Sequence, residues 1–285
     1  MPPKLYLIDG NSYVYRSFYA IRDLKNSSGF PTNALYGFAS MLLKLLIEEK
    51  PGYMAVAFDL PSPTFRHKLY PEYKAHRPSM PEELRLQFPV IKEMVSDFNI
   101  RMFELEGYEA DDILATLAKK FENSAAVYVL SQDKDCLQLV SPGIRVMREN
   151  KTRQICDEEA VRRVYGVEPG QFADCLALCG DSSDNIAGLP GVGWKTAAKL
   201  IKRFGSLDKL IADSDSIESE KLRGNVKTAS ERLLFNRKLV SLDCWVPVQA
   251  EIDMLKTGDI PGGKLREMFL KLEFKKLLDK IDDLL

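Results

Sequence analysis

The sequence predicts an α/β fold in which a mostly parallel β-sheet is flanked by helices. Short β-rich runs alternate along the chain with longer stretches that carry apolar residues at helical spacing. The β-rich runs are residues 5–8, 54–58, 100–105 and 127–130, with a fifth at 144–147. Because strands that alternate with helices build parallel sheets covered on both faces, we expect this arrangement here. A chain of 285 residues with 45% hydrophobic content can bury the required core.

From Asp157 onward the strand pattern fades and helical periodicity takes over. We therefore predict a core domain at residues 1–156 and a helical subdomain at 157–285. Residues 61–81 interrupt the first domain with five prolines among basic and aromatic side chains. We interpret this segment as a mobile excursion from the core.

Composition excludes several classes of protein. The chain has no run of 18 apolar residues and does not begin with a secretory signal, so we expect a soluble cytoplasmic protein without a membrane partner. Its five cysteines are an odd number and include no C-x2-C pair. We interpret them as reduced thiols rather than a disulfide framework or a zinc site.

Acidic residues follow the predicted strands. Asp9 and Asp59 come directly after two of the β-rich runs, and Asp133 and Asp135 come shortly after a third. The run at 100–105 leads into three acids at the start of a helix, namely Glu109, Asp111 and Asp112. Since functional groups in open α/β sheets lie beyond the carboxyl ends of the strands, these side chains are expected to converge.

A structural alternative is that each acid only caps a helix or a strand-end loop. Several carboxylates in one crevice, however, repel one another and require cations. Oxygen ligands without His or Cys suit Mg²⁺, with Mn²⁺ as a substitute. Asp181 and Asp184, in the segment GDSSDNIAGLPGVG, could hold a second metal ion. Two metal ions are typical of phosphodiester hydrolysis.

A net charge of −1 would ordinarily argue against a nucleic-acid partner. Neutralising the nine acids named above leaves 32 acidic against 40 basic residues, a net charge of +8. In the segment GLPGVGWKTAAKLIKRFG, two glycines open a basic helix whose N-terminus could bind a DNA phosphate. The residues concerned are Gly191, Gly193, Lys195, Thr196 and Lys199. An ordinary helix cap is the alternative.

The segment between Pro61 and Arg77 interleaves aromatic and basic side chains. Such a pattern suits single-stranded DNA, whose bases stack on aromatic rings while cations follow the phosphates. We predict DNA contacts for Tyr70, Tyr73 and Arg77, and contacts of Arg66 and Lys74 with the scissile phosphate. A solvated charged loop is the alternative.

Five motifs together resemble the 5′ nuclease family found at the front of bacterial DNA polymerase I. They are LIDGNSYVYRSFYA, FDLPSPTFRHKLYPEYKAHR, EGYEADDILATLA, SQDKDCLQL and GDSSDNIAGLPGVGWKTAAKLI, and the resemblance covers about residues 5–204. It implies a PIN-like core, a helical arch at about 61–90 and a C-terminal helix-hairpin-helix region that often binds K⁺. It also implies that the nine acids hold two or more Mg²⁺ ions, and that Arg16, Lys74 and Arg77 assist with the phosphate or the threaded strand.

The resemblance further implies 5′-3′ exonuclease and 5′-flap endonuclease activity in replication and repair. The expected partners are DNA with a flap, nick or 5′ end, RNA primers on DNA, and a DNA polymerase, fused or separate. We expect the chain to act as a monomer. The alternatives are a phosphatase, which would need an acid where Asn11 stands, a PIN-type ribonuclease, and a DNA-binding scaffold without catalysis.

Overall fold

Helices and strands alternate through the first half of the chain in the computed structural model, which describes residues 2–149 and 153–282. The helices are α1 (Gly10–Ala20), α2 (Asn33–Glu49), α3 (Phe65–Leu69), α4 (Glu82–Asp97), α5 (Ala110–Phe121), α6 (Glu158–Tyr165), α7 (Phe172–Cys179), α8 (Trp194–Phe204), α9 (Leu207–Ala212), α10 (Glu220–Thr228), α11 (Ser230–Val240), α12 (Gly262–Lys271) and α13 (Lys275–Asp282). The strands are β1 (Lys4–Asp9), β2 (Tyr53–Ala57), β3 (Arg101–Phe103), β4 (Ala126–Leu130), β5 (Ile144–Glu149), β6 (Arg153–Cys156), β7 (Gly180–Asp181) and β8 (Ile186–Ala187). Within the described ranges, no helix is both long and apolar enough to cross a bilayer.

Two compact units make up the chain. The sheet unit contains the residues up to Leu60, Ser79–Gln132 and the residues from Cys244 onward. The helical unit contains Pro61–Pro78 and Asp133–Asp243. This division differs from the predicted domains 1–156 and 157–285, because the chain enters the helical unit twice. The predicted arch at about 61–90 includes α3 and the first half of α4.

The sheet unit is built on parallel strands in the order β3-β2-β1-β4. Ile8 of β1 lies opposite Val56 of β2 and Leu130 of β4, so these three strands end at nearly the same level. The interiors of the central strands β1 and β2 are apolar and buried, as expected for a parallel sheet that helices cover. The prediction of a mostly parallel sheet is confirmed.

The helical unit packs α7 against α8 and α11 around a separate apolar core. Cys175 and Leu178 of α7, Ile201 of α8 and Leu233 of α11 contribute to this core. Strands β5 and β6 pair in antiparallel fashion in the same unit. Helices therefore dominate the region from Asp157 onward, where the sequence shows helical rather than strand periodicity.

The segment at 61–81 does not stand away from the protein as we expected from its prolines. Its part from Pro61 to Pro78 belongs to the helical unit, and Arg66 and Tyr73 are only 2% and 3% exposed. The expectation of an excursion from the core is therefore wrong for this part, because two polar side chains of the segment are buried.

Candidate active site

Asp9 connects the ends of two parallel strands in the sheet unit. It ends β1 and caps α1, since its Oδ1 accepts a hydrogen bond from the Ser12 N–H at 2.9 Å. Its Oδ2 accepts a hydrogen bond from the hydroxyl of Ser131, the residue after β4, at 2.7 Å. Asp9 therefore lies beside the carboxyl ends of β1 and β4, while convergence of the acidic side chains themselves stays a prediction.

Asp59 connects the end of β2 with the start of α5. Its Oδ1 accepts a hydrogen bond from the Ala110 N–H at 2.7 Å, and its own N–H donates to Asn11 Oδ1 at 3.0 Å. The Glu109 N–H in turn donates to Oδ2 of Asp112, a fully buried side chain, at 3.3 Å. These contacts fix the turn before α5 beside the carboxyl end of the sheet.

Asp9, Asp59 and Asp112 each accept a backbone N–H at a helix start, which is the contact that the capping alternative expects. Capping does not exclude a second role, because an ionised carboxylate has about four acceptor positions. Cation binding by these acids, and by the half-buried Glu109 and Asp111, stays a prediction.

Four of the predicted acids lie in the helical unit, and we call them its acidic cluster: Asp133, Asp135, Asp181 and Asp184. The Asp135 N–H donates to Asp133 Oδ1 at 2.9 Å, which places the two side chains on one turn. Oδ1 of Asp135 is buried and has no hydrogen-bond partner among the described residues. Burial, followed by the negative charges of Asp133 and Asp181, raises the pKa of Asp135 well above its usual value. A carboxylate here would be stabilised by a cation.

Asp181 lies on a tight hairpin between β7 and β8. Gly180, at φ +77°, and Gly188 leave no room for a Cβ, because it would lie 2.4 Å from the Gly188 nitrogen and 2.3 Å from the Cys179 carbonyl carbon, respectively. Asp181 accepts hydrogen bonds from Ser183 and pairs with Lys134, whose Nζ lies 2.9 Å from Oδ2. Burial raises the pKa of Asp181, but Ser183 and Lys134 outweigh it and leave the pKa below its usual value.

Asp184 is held by the segment that precedes α4. Its Oδ1 pairs with Arg77 Nη2 at 2.7 Å, and its Oδ2 accepts a hydrogen bond from the Tyr73 hydroxyl at 2.9 Å. The Lys74 N–H donates to the Asp184 carbonyl oxygen at 3.1 Å. Tyr73, Lys74 and Arg77 are thereby fixed next to an acid that the sequence singled out separately.

The nine predicted ligands divide into five in the sheet unit and four in the helical unit. No three His, Cys, Asp or Glu side chains within residues 2–149 and 153–282 are arranged to hold a metal ion together. In the helical unit, oxygen atoms of Asp181 and Asp184 instead contact protein donors. The donor set still fits a hard divalent cation, because it is all carboxylate and includes the unpartnered Oδ1 of Asp135.

Lys74 is half-buried and has a left-handed backbone, with φ at 57°. Its Nζ lies 4.9 Å from the centre of the Tyr73 ring. The Tyr73 ring is itself buried, with its edge against His67, which favours a structural role in holding Asp184 over the predicted stacking on bases. Tyr70 is half-buried, and its hydroxyl donates to the Asn185 carbonyl oxygen at 3.3 Å.

Arg66 is placed differently from the other predicted phosphate contacts. Its Nε donates to the Leu239 carbonyl oxygen at 2.7 Å, and its Nη2 donates to the Ser241 carbonyl oxygen at 2.8 Å. With 2% of its surface exposed, the guanidinium joins α3 to the end of α11. This placement favours a structural role over the predicted contact with the scissile phosphate. Arg16, on α1, is half-buried, and its role stays a prediction.

The predicted phosphate site at the start of α8 has the expected local structure. Gly191 adopts a left-handed turn at φ +78°, and Gly193 is the N-cap residue of α8. Lys195 and Lys199 are exposed on the first turns of this helix, while Thr196 is half-buried. The N-terminus of α8 therefore lies beside two exposed lysines and has no side-chain cap, an arrangement that suits an anion.

Sequence reasoning missed two side chains that contact the acids. Lys134 stands between Asp133 and Asp135 in the motif SQDKDCLQL, so its position beside the acids was visible. Ser131 follows β4 in the same motif and donates to Asp9.

Two family profiles match consecutive parts of the chain. The profile described as "5′-3′ exonuclease, N-terminal resolvase-like domain" matches residues 4–166, which is more than half of the chain. The chain belongs to the 5′-3′ exonuclease family. The profile for the family's "C-terminal SAM fold" matches residues 167–261. The predicted family, enzyme class and PIN-like fold are thereby confirmed.

Curated members of the 5′-3′ exonuclease family include a relative of similar length. The 5′-3′ exonuclease of Aquifex aeolicus is 41% identical over 279 residues, which cover 98% of this chain and 95% of that protein. DNA polymerase I of Bacillus caldotenax is 42% identical over 288 residues, which cover 99% of this chain and 33% of the polymerase. The chain thus spans about a third of this polymerase relative.

Solved structures support the fold of this 5′-3′ exonuclease. T5 5′-exonuclease with bound zinc ions matches with a TM-score of 0.72 at 24% identity, covering 94% of this chain and 99% of that one. The catalytic core of Rad2 in complex with DNA substrate matches with a TM-score of 0.69 at 17% identity, covering 100% and 93%. At these identities the likeness concerns the fold.

Proposed function

We propose that this 5′-3′ exonuclease also acts as a 5′-flap endonuclease, hydrolysing DNA phosphodiesters near 5′ ends, nicks and flaps and removing RNA primers in replication and repair. The observation that carries the proposal is the acidic cluster of the helical unit, in which a buried oxygen of Asp135 has no hydrogen-bond partner in the part of the chain that the structure describes. Membership of the 5′-3′ exonuclease family supports the direction of cutting.

Mg²⁺ is the proposed cofactor, in two or more copies, and Mn²⁺ is the proposed substitute. In the helical unit Asp133, Asp135, Asp181 and Asp184 would bind it, and in the sheet unit Asp9, Asp59, Glu109, Asp111 and Asp112 would bind it. Bound Mg²⁺ would lower the pKa of a water molecule and neutralise charge on the phosphate. The carboxylates supply the negative charge that retains such an ion.

Lys74 is proposed to stabilise the negative charge that develops on the scissile phosphate. The Lys74 N–H donates a hydrogen bond to the Asp184 carbonyl oxygen. This contact fixes the Lys74 backbone next to Asp184, a member of the acidic cluster. Arg16 and Arg77 are proposed to hold backbone phosphates of the cut strand, and Tyr70 to contact its bases.

Replacing Lys74 with alanine is expected to lower kcat about 10- to 100-fold, because one charged donor to the transition state is lost. Single-turnover cleavage of a labelled flap duplex measures the effect. Lys221→Ala, at an exposed lysine of α10, is the matched control and should cleave like the parent protein. Parental kcat in Lys74→Ala would remove Lys74 from the proposed mechanism.

The start of α8 is proposed to bind a backbone phosphate of the duplex through Gly191, Gly193, Lys195, Thr196 and Lys199. A K⁺ ion at this hairpin is part of the same proposal. Phosphate contacts carry little sequence information, so binding should depend on salt more than on base sequence.

The double variant Lys195→Ala, Lys199→Ala is expected to bind duplex about 10-fold more weakly at moderate salt. The slope of log K against log salt should fall by about two, since each lost phosphate contact removes about one unit. Fluorescence anisotropy at several salt concentrations tests this. Weaker binding with an unchanged salt slope would indicate that the two lysines stabilise the structure of the binding site and do not contact phosphates.

Mapping the product ends of a labelled 5′-flap duplex in Mg²⁺, with EDTA as the control, tests the whole proposal. Cutting at the flap junction that EDTA abolishes is the expected result, also with an RNA 5′ segment on DNA. Binding without cutting in Mg²⁺ or Mn²⁺ would favour the scaffold alternative, and cutting of RNA alone would favour the PIN-type ribonuclease. We further propose that the chain acts as a monomer and that its partner is a DNA polymerase, either fused to it or separate.

A further inference from the structure

Lys134 is a cation built into the acidic cluster of the helical unit. It lies between Asp133 and Asp135 in sequence, and its Nζ contacts Oδ2 of Asp181 at 2.9 Å. The Asp181 side chain is 6% exposed, whereas the Lys134 side chain is 42% exposed. The ammonium group therefore approaches a buried carboxylate from a position that solvent can reach.

The contact occupies an oxygen atom that the proposed metal site would use. A divalent cation bound to Asp181 would lie close to the Lys134 ammonium, and two positive charges at such a distance repel strongly. Without a cation, Lys134 offsets part of the repulsion between Asp181 and its neighbours Asp133 and Asp135. The same side chain thus stabilises the metal-free cluster and disfavours the metal-bound one.

We propose that Lys134 is a positioning residue that holds Asp181 before a divalent cation binds and competes with that cation for the Asp181 carboxylate. Lys134 thereby sets the Mg²⁺ concentration that the enzyme requires. The inference rests on the proposed function, because it assumes that Asp181 is a metal ligand.

The test compares Lys134→Met and Lys134→Arg with the parent chain. The half-saturating Mg²⁺ concentration is measured for flap cleavage and, separately, for Mg²⁺ binding by calorimetry without DNA. Lys134→Met should lower both values about 5- to 10-fold, because a competing unit charge is lost. It should also lower the unfolding temperature in EDTA more than in Mg²⁺. Lys134→Arg keeps the charge and should restore parental Mg²⁺ dependence, and Lys221→Met is the control.

An unchanged or higher half-saturating Mg²⁺ concentration in Lys134→Met would overturn the inference while leaving the proposed function intact. An equal loss of thermal stability in EDTA and in Mg²⁺ would also overturn it, since that result describes an ordinary structural ion pair. A parent chain that neither binds Mg²⁺ nor cuts would instead refute the proposed function and this inference with it. Lys134→Gln, a smaller change, replaces Lys134→Met if the latter does not fold.

Discussion

Replacing Asp133 with asparagine is expected to reduce flap cleavage about 10³-fold or more at saturating DNA. Asparagine keeps an oxygen that can accept the Asp135 N–H, so the turn at 133–135 should persist. The lost negative charge removes a proposed ligand to Mg²⁺, and a 10³-fold loss corresponds to about 4 kcal/mol of transition-state stabilisation. Single-turnover kinetics in excess Mg²⁺ measure the effect.

Asp213→Asn is the matched control for this experiment. Asp213 is an exposed aspartate of the same unit that follows α9, and its side chain does not cap the short 3-10 helix at Ser214–Ser216. Its substitution should leave cleavage and Mg²⁺ dependence unchanged. Parental activity in Asp133→Asn would mean that the acidic cluster is a structural feature, and the capping alternative would then extend to the helical unit.

Replacing Arg66 with alanine is expected to lower the free energy of unfolding by about 3–5 kcal/mol. The change removes the donors to the carbonyl oxygens of Leu239 and Ser241, and buried acceptors without partners are costly. It also removes the contact between the guanidinium and the Phe65 ring, which lie 4.5 Å apart. Urea denaturation followed by circular dichroism measures the loss.

Arg66→Lys should lower the free energy of unfolding by less than Arg66→Ala does. Lysine retains a cationic donor group, but it cannot reach both carbonyl oxygens as the guanidinium does. Arg85→Ala, at an exposed arginine of α4 paired with Glu82, should change the free energy of unfolding by less than about 0.5 kcal/mol. Parental stability in Arg66→Ala, with a reduced kcat alone, would restore the predicted contact of Arg66 with the scissile phosphate.

Strands β1, β2 and β4 could be predicted because each contains an apolar run. The predicted run at 127–130 differs from β4 by one residue, and the run at 144–147 corresponds to β5. Strand β6 was missed, because its four residues, RQIC, are mostly polar and partly exposed and show no apolar run. The acids after the strands were found by the same logic, since a strand end fixes where its next side chain lies.

The structural roles of Arg66 and Tyr73 could not be predicted from local pattern. A basic or aromatic residue in a proline-rich segment has the same appearance in sequence whether it faces solvent or a buried carbonyl oxygen. Arg66 is held by Leu239, which lies 173 residues further along the chain, and Tyr73 is held by Asp184, which lies 111 residues further along. Burial of such groups depends on tertiary contacts that no short window contains.

The early entry of Pro61–Pro78 into the helical unit affects how the protein folds during synthesis. Arg66 leaves the ribosome 173 residues before Leu239, its hydrogen-bond acceptor. At about 5–20 residues per second, Leu239 is synthesised roughly 9–35 s after Arg66. During this interval its prolines and charged side chains keep it hydrated and disfavour strand pairing with other nascent chains. The composition that suggests a mobile excursion in the sequence thus suits a segment whose contacts with Leu239 cannot form until most of the chain has been synthesised.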